Sequence, residues 1–390
     1  MRPYTYVSLF SSAGVGCFGF KEEKFDCVLT NELVERRMEV QKCNVKCSDP
    51  RGYLCGDITD LEVQKYALNY INEYKKNKKI EDIDVVIATP PCQGMSVANH
   101  KKAKDEIIRN SLVLEAIHLI SKIKPKVFIF ENVAAFMNTK CGKEGEERKI
   151  SQAIQEELEN LYDFQSQVIN FKDYGANSSR SRCLVIGVRK DTSLNVEKLM
   201  PSKEKPKMMR DLIYHLPRLH IMGEIDPNDI YHNFKAYKPH MRDWIKDLKP
   251  GENAFNNVDP LKRPHQIKDG IVIPNVNKNG DKYSRQIWDK TPPCIHTRND
   301  ILASQNTVHP EDDRVFSLRE LMIFMNIPES FKWTNHSLSE LNDLNETEKK
   351  TYLKKHEVNI RQSLGEAVPT IIFSKIAKNI KKGLEHAKNK

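Results

Sequence analysis

The chain has 390 residues, enough to bury a large core and to divide into two domains, since single cores rarely grow far past ~250–300 residues. A hydrophobic fraction of 39% and a charged fraction of 29% exclude a disordered chain, and no run approaches the ~18–20 apolar residues of a membrane span. The formal net charge of +9 favours a polyanionic partner, because Lys and Arg neutralise phosphates and release counterions.

The first segment runs from Met1 straight into a strand-like stretch with no secretory signal ahead of it, so an intracellular protein is expected. The nine cysteines are scattered along the chain and do not form the dense framework of a small secreted domain. Cys43, Cys47 and Cys55 lie close together, but a CxxxC spacing with no fourth ligand nearby reads as ordinary reduced thiols, and no metal is expected.

In chain order, Tyr6–Phe10, Cys27–Thr30, Val85–Ala88, Val127–Phe130 and Leu184–Val188 are predicted strands. Their near-continuous apolar character suits a sheet covered by helices on both faces. Between them, Val63, Tyr66, Ala67, Tyr70, Ile71 and Tyr74 recur along one helical face, as do Leu112, Val113, Ala116, Ile117 and Ile120. This alternation predicts a largely parallel α/β sheet. From about Arg189 to Asp300 the chain turns rich in Pro, Asn, Lys, Asp and His, with turn signals at Lys249-Pro250-Gly251, Asn279-Gly280 and Pro292-Pro293. A second, loop-rich domain inserted into the first is expected there. Helical periodicity returns at Ser317–Asn326 and at Thr370–His386.

Three predicted strands deliver chemistry to one sheet edge, where open α/β folds bind ligands. Val85-Val86-Ile87-Ala88 runs into Thr89-Pro90-Pro91 and then Cys92, a placement suited to a nucleophile active as its thiolate. Phe128-Ile129-Phe130 leads into Glu131-Asn132, a carboxyl group that desolvation can hold protonated for donation to a ring nitrogen. Arg180 and Arg182, alternate residues of an extended segment, point the same way and can neutralise a carboxylate or grip a carbonyl oxygen. Taken singly, a structural thiol, a helix cap and a rim salt bridge explain each equally well. After the first strand, Ser11-Ser12-Ala13-Gly14-Val15-Gly16 is a small-residue turn that lets backbone approach a ligand. Glu32 can accept from ribose hydroxyls, and Asp57 follows at the next expected strand end. No GxxxxGK[ST] is present, which argues against a P-loop enzyme.

In order and spacing these segments resemble the cytosine-C5 DNA methyltransferase family, of the restriction–modification type. The blocks are LFSSAGVG, TNEL, GDITD, TPPCQGMS, ENV, SSRSR, RVFSLRELMIFMNIPESF and QSLGEAVP, with WDKTPP ahead of the late ones. The resemblance implies an S-adenosylmethionine-dependent, Rossmann-like doubly wound sheet. Residues 1–188 and 356–390 would form the catalytic domain, and 189–355 a smaller target-recognition domain that includes the RVFSLREL block. It implies Cys92 as the nucleophile adding to C6 of cytosine and Glu131 on N3 and the exocyclic amine. Arg182 would hold the base O2, with Arg180 orienting the carboxylate. It places Phe10, Gly14, Glu32, Asp57, Ile58, Pro91, Ala367 and Val368 around the cofactor, and Gln93 and Ser96 against DNA. The base must leave the duplex stack, at a cost on the order of a few kcal/mol. Double-stranded DNA is the implied substrate, a monomer the default, and a separately encoded endonuclease a possible companion. Three positions depart from the pattern: Ser12 replaces the first glycine of FxGxG, Ser178 the glutamine of QxRxR, and Glu366 the asparagine of GNxV. A transfer-RNA-modifying branch shares the blocks, but its extra Cys-Phe-Thr element has no match here. An inactive regulator would be expected to have lost Cys92 or Glu131.

Overall fold

A computed structural model describes residues 3–91, 110–142, 146–276 and 280–388. They fall into two compact units, one of residues 1–175, 181–204 and 370–390, the other of 176–180 and 205–369. The sequence reading put boundaries at 188 and 356; residues 189–204 cluster with the first unit and 356–369 with the second.

The first unit is built on strands β1 (Tyr4–Leu9), β2 (Phe25–Glu32), β3 (Tyr53–Cys55), β4 (Val85–Ala88), β5 (Val127–Asn132), β6 (Tyr162–Asn170) and β7 (Ser181–Arg189). They form one sheet in the order β3-β2-β1-β4-β5-β7-β6. The first five are parallel, while β7 runs antiparallel to both β5 and β6. All five expected strands are present. β3 and β6 are additional: the first is only three residues long, and the second is an edge strand whose middle is exposed or half-exposed.

Alternation along β1 sends successive side chains to opposite faces. Val7 and Leu9 join Val86, Phe128 and Phe130 beneath helices α3 (Leu61–Lys78), α4 (Leu112–Ile123) and α5 (Ile150–Leu158), which contribute Ala67, Ile117, Ile120 and Ile154. Tyr6 faces the other way, its ring 5.3 Å from Phe20 of α1 (Val15–Glu22), and Phe20 lies 6.0 Å from Phe373 of α8 (Thr370–Lys388). The C-terminal helix therefore returns to the β1 region, where Thr370 Oγ1 donates to the Val15 carbonyl at 3.2 Å. Helices on both faces make the sheet doubly wound. Helix α3 starts and stops on local chemistry: Asp60 accepts from the Glu62 amide to cap it, and Lys79 at φ 50° ends it after a lysine-rich last turn.

The second unit has little regular structure. Short strands β8 (Ile225–Asp226) and β9 (Asp229–Asn233) pair, as do β10 (His265–Lys268) and β11 (Ile271–Pro274), alongside helices α6 (Leu318–Phe324) and α7 (Glu346–Glu366). Its order depends on buried charge. Arg314, 1% exposed, places both NH groups 2.8 Å from the Glu320 carboxylate, and Asp312 lies 2.9 Å from the same guanidinium. Glu320 and Ser317 form a reciprocal capping box at the start of α6. Burial opposes ionisation of Glu320, yet the Arg314 charge holds its carboxyl well below the usual range. Desolvation pushes the neighbouring His309 imidazole down to about 3. Among the described residues no helix is long and apolar enough to cross a membrane.

Candidate functional site

At the carboxyl edge of the sheet Glu131 and Arg182 meet, and Asn132 ties the end of one strand to the next, through contacts that sequence spacing does not reveal. β5 ends in Glu131 and Asn132, and its antiparallel neighbour β7 pairs Leu184 and Cys183 with them. Arg182, one residue further out on β7, brings its Nε to 3.2 Å from Glu131 Oε1, and Glu131 is only 7% exposed. A carboxylate this buried needs a charge partner. Arg182 also donates from NH1 to the Ser181 carbonyl at 2.7 Å, so its guanidinium is held at two points. Burial, with the Glu131 charge second, pushes the adjacent Cys183 thiol up to about 11, which keeps it a neutral core group.

The strand before the expected nucleophile is fixed at the same edge. Asn132 Nδ2 donates to the buried Pro90 carbonyl at 2.9 Å, while Asn132 Oδ1 accepts from the Val133 amide. Thr89 Oγ1 donates to the Phe10 carbonyl at 2.9 Å. The ends of β1, β4 and β5 are thus laced together just ahead of Pro91, which is exposed. Cys92, Gln93 and Ser96 lie outside the described residues.

The arginines divide differently from the sequence expectation. The ion pair with Glu131 is made by Arg182. Arg180, 4% exposed, donates from NH1 to the Ile295 carbonyl at 3.2 Å, with Cys294 Sγ at 3.6 Å, all within the second unit. Its segment is stitched to that unit throughout. The Asn177 amide donates to Asn326 Oδ1, Asn177 Nδ2 to the Ile323 carbonyl, and the Ser179 amide to the Pro292 carbonyl. Ser178, where glutamine is the family pattern, is fully buried, with its hydroxyl 3.9 Å from Met325 Sδ. The MNIP and TPP segments therefore have a concrete task, which is to hold the arginine segment.

The turn after β1 has left-handed backbone at every second residue: Phe10 at φ 55°, Ser12 at 46° and Gly14 at 77°. For residues with a Cβ this conformation costs on the order of 1 kcal/mol or more each and persists only where surroundings over-determine it. They do so here. Glu32 Oε2 accepts from the Ser12 amide at 2.7 Å, and Gln41 Nε2 donates to the Ser12 carbonyl at 2.6 Å and to Ser11 Oγ at 2.8 Å. Gln41 Oε1 accepts from Thr30 Oγ1 and from the buried Lys46 ammonium, at 2.7 and 2.9 Å. A Cβ on Gly14 would sit 3.0 Å from Gln41 Cγ as well as being strained, so glycine is required. Nothing in the sequence marks Gln41 and Lys46 as partners of the turn, because neither belongs to a recognisable motif.

Glu32 uses its other oxygen for the Val34 amide, with Arg37 at 3.5 Å. Asn31 Nδ2 donates to the Leu54 and Gly56 carbonyls, which sets the GDITD loop beside the turn. In that loop Asp57 is exposed and accepts from the Thr59 amide and hydroxyl, while the Ile58 side chain is buried in the core under the sheet. Half-buried Phe10, the Glu32 carboxylate and exposed Asp57 converge on a backbone-lined turn, a donor and acceptor set that fits an adenosyl group. Ala367 and Val368 are buried in the second unit. A Cβ on Gly365 would lie 2.4 Å from the His296 carbonyl carbon, so the late glycine allows backbone close approach. Of the three cysteines that raised a metal question, Cys47 is buried, Cys43 half-buried and Cys55 exposed; the described residues contain no metal-holding cluster of three His, Cys, Asp or Glu.

Comparison with known proteins bears on the same blocks. The family model described as C-5 cytosine-specific DNA methylase matches residues 4–382. The chain is similar to the Type II methyltransferase M1.HgaI of Avibacterium volantium, at 26% identity over 96% of this chain and 97% of that one. It is also similar to the Type II methyltransferase M1.HphI of Haemophilus parahaemolyticus, at 27% identity over 97% and 87%. Among solved structures, the S. pombe Dnmt2 methyltransferase covers 98% of this chain and 99% of its own, with a TM-score of 0.60 and 12% identity, a likeness of fold alone. With the family model matching residues 4–382, this chain belongs to the C-5 cytosine-specific DNA methylases and is a DNA cytosine-C5 methyltransferase.

Proposed function

We propose that Cys92, Glu131 and Arg182 carry the chemistry on a cytosine flipped out of duplex DNA, with residues 205–369 supplying target recognition. The observation that carries this reading is the buried Glu131–Arg182 pair beside the Asn132–Pro90 hydrogen bond. Together they present a carboxylate, a guanidinium and the approach to Cys92 at one sheet edge.

S-adenosylmethionine, held by Phe10, the Ser11–Gly14 turn, Glu32 and Asp57, supplies an electrophilic methyl group when bound. The chain's own residues do the rest. The Cys92 thiolate adds to C6, forming an S–C bond and making C5 electron-rich. Glu131, taking up a proton, donates to N3 and accepts from the exocyclic amine, where charge develops during this addition. Arg182 fixes the Glu131 carboxylate and offers its remaining N–H groups to the base O2. Arg180 acts through the second unit, as a positioning residue for the segment that leads into β7. Once C5 carries the methyl group, loss of its proton re-forms the C5–C6 double bond and expels Cys92. Because C5 and C6 are shielded in a stacked duplex, the base leaves the helix first.

The likeness to Type II methyltransferases supports a protective role beside a separately encoded restriction endonuclease. One chain contains every catalytic block, which supports a monomer acting on chromosomal DNA in the cytoplasm.

The test is base-resolution 5-methylcytosine mapping in a host without its own cytosine methylation, with Cys92→Ala as control. One short motif methylated throughout, and lost in the variant, is the expected outcome. Methylation retained by Cys92→Ala overturns the mechanism. An unmodified genome with intact cofactor binding points instead to an RNA substrate or a regulator.

A further inference from the structure

A concavity of about 460 Å³ in the second unit lies outside all the blocks assigned above except the aromatic that opens WDKTPP. Arg210, Tyr214, Lys246, Arg285, Trp288 and Glu311 line it. The Tyr214 and Trp288 rings stand 5.2 Å apart at 80°, and the Arg210 guanidinium lies over both, 5.2 Å from one centroid and 5.8 Å from the other. Asp289 holds that guanidinium in place at 2.9 Å. Tyr214 is 58% exposed, so its ring can be reached from solvent.

The cations are arranged unequally. Arg285 is 3% exposed and spends its two NH groups on the Ile245, His309 and Asp312 carbonyls and on Asp313, yet its Nε has no partner among the described residues. Lys246 is exposed and has no ion pair among the described residues. Glu311, the acidic wall, is already engaged by Arg218.

We propose that this concavity holds one nucleotide of the bound DNA, its base against the Tyr214–Trp288–Arg210 platform and its phosphate at Lys246. The site rests on the DNA reading and extends it. Aromatic rings and guanidinium planes stack on the faces of bases, and a stacked duplex shows only base edges. The nucleotide held here has therefore left the stack, outside the site that receives the target cytosine.

Trp288 gives the readout. Trp244 and Trp333 are each 3% exposed, so Trp288 is the indole a ligand in this concavity reaches. The full-length protein is titrated with a single-stranded hexanucleotide of adenine and thymine, which offers no cytosine to the catalytic centre. Saturable quenching is expected, with the dissociation constant raised about tenfold by Lys246→Met and by Tyr214→Ala, the scale of one phosphate contact or one stacked base. For duplex DNA, Lys246→Met lowers the slope of log K against log salt by about 0.9. A duplex with one extrahelical adenine binds wild type more tightly than its matched parent, and Tyr214→Ala removes the difference. No saturable quenching, or one dissociation constant shared by all three proteins, overturns the site. Adenosine monophosphate bound as tightly as the hexanucleotide, with duplex binding unchanged in both variants, reassigns it to a free nucleotide and also overturns it. Methylation mapping on wild type separates the two claims, since methylated DNA without quenching sinks this site alone. Quenching without methylated DNA sinks the methyltransferase reading and leaves the concavity a nucleic-acid site.

Discussion

Asn132→Ala removes one hydrogen bond from the approach to Cys92. In the native chain Asn132 Nδ2 reaches the Pro90 carbonyl at 2.9 Å in a buried setting, 42 residues away in sequence. Losing the bond forfeits about 0.5–1.5 kcal/mol, and leaving a buried carbonyl unpartnered adds about 1–3 kcal/mol, part of which relaxation recovers. A net local cost of about 2–3 kcal/mol falls on the conformation that leads into Cys92, and the Val133 amide loses its bond to Asn132 Oδ1 as well. At 1.36 kcal/mol per factor of ten, the single-turnover methyl-transfer rate drops about 30- to 150-fold. Asn132→Asp keeps the acceptor for the Val133 amide but sets an oxygen against the Pro90 carbonyl, so its loss is larger. The assay is single-turnover transfer at saturating DNA and cofactor, with cofactor affinity by calorimetry and melting temperature as controls. Rates within threefold of wild type in both variants refute the anchoring role. So does a rate loss that cofactor affinity or melting fully accounts for.

Glu131→Gln retains shape but removes the charge paired with Arg182, so transfer falls by about 10²–10⁴-fold while cofactor affinity holds, read by single-turnover kinetics and calorimetry. Ser12→Gly relieves a φ of 46° and raises the melting temperature by a few degrees, equivalent to about 1 kcal/mol, without loss of cofactor affinity. Glu320→Gln leaves the buried Arg314 guanidinium with Asp312 as its remaining carboxylate and lowers stability by about 1–3 kcal/mol in urea unfolding followed by the buried tryptophans of the second unit. His309 stays neutral in the fold down to about 3, whereas the unfolded chain takes up a proton below ~6.5. Its contribution is therefore complete above pH 6.5 and lost as pH falls from there towards 3; Glu320 and Asp312, held low, add to the loss below ~4.5. His309→Asn, which preserves an acceptor for the Glu311 and Asp312 amides, flattens the urea midpoint between pH 7 and 5.

What the sequence discloses follows from how each element is buried. β4 was legible to the residue because helices cover it on both faces and leave a purely apolar run. β6 escaped because only its ends are buried, so it carries no apolar signal. α7 escaped for the opposite reason. Lys349, Glu357 and Arg361 sit on its buried side, and Arg361 donates to Glu357, Asn299 and the Phe316 carbonyl, so buried charge hides the helical period. At the site, residue types and their order on strand ends were readable. The partners were not. Nothing in the spacing of ENV and SSRSR tells which arginine meets Glu131; antiparallel register between β5 and β7 decides it, by setting Asn132 opposite Cys183 and Arg182 just beyond.

The cofactor turn shows how the Ser12 departure is tolerated. With glycine in that position the left-handed backbone would cost nothing, and Glu32 would be free to serve the ribose alone. With serine, the turn must be held against its own strain, and both backbone groups of Ser12 are gripped, the amide by Glu32 and the carbonyl by Gln41. Gln41 is in turn fixed by Thr30 and by the Lys46 ammonium, whose recorded acceptors are neutral oxygens. The acidic residue that would receive the ribose is thus also a structural member of the turn. Glu32→Gln, which can still accept from the Ser12 amide, should cost less cofactor affinity than Glu32→Ala. In a Ser12→Gly background the gap between the two narrows, because the turn no longer depends on the bond. An equal gap in both backgrounds would mean that Glu32 acts on the ligand only, and that the strain at Ser12 is carried by Gln41 alone.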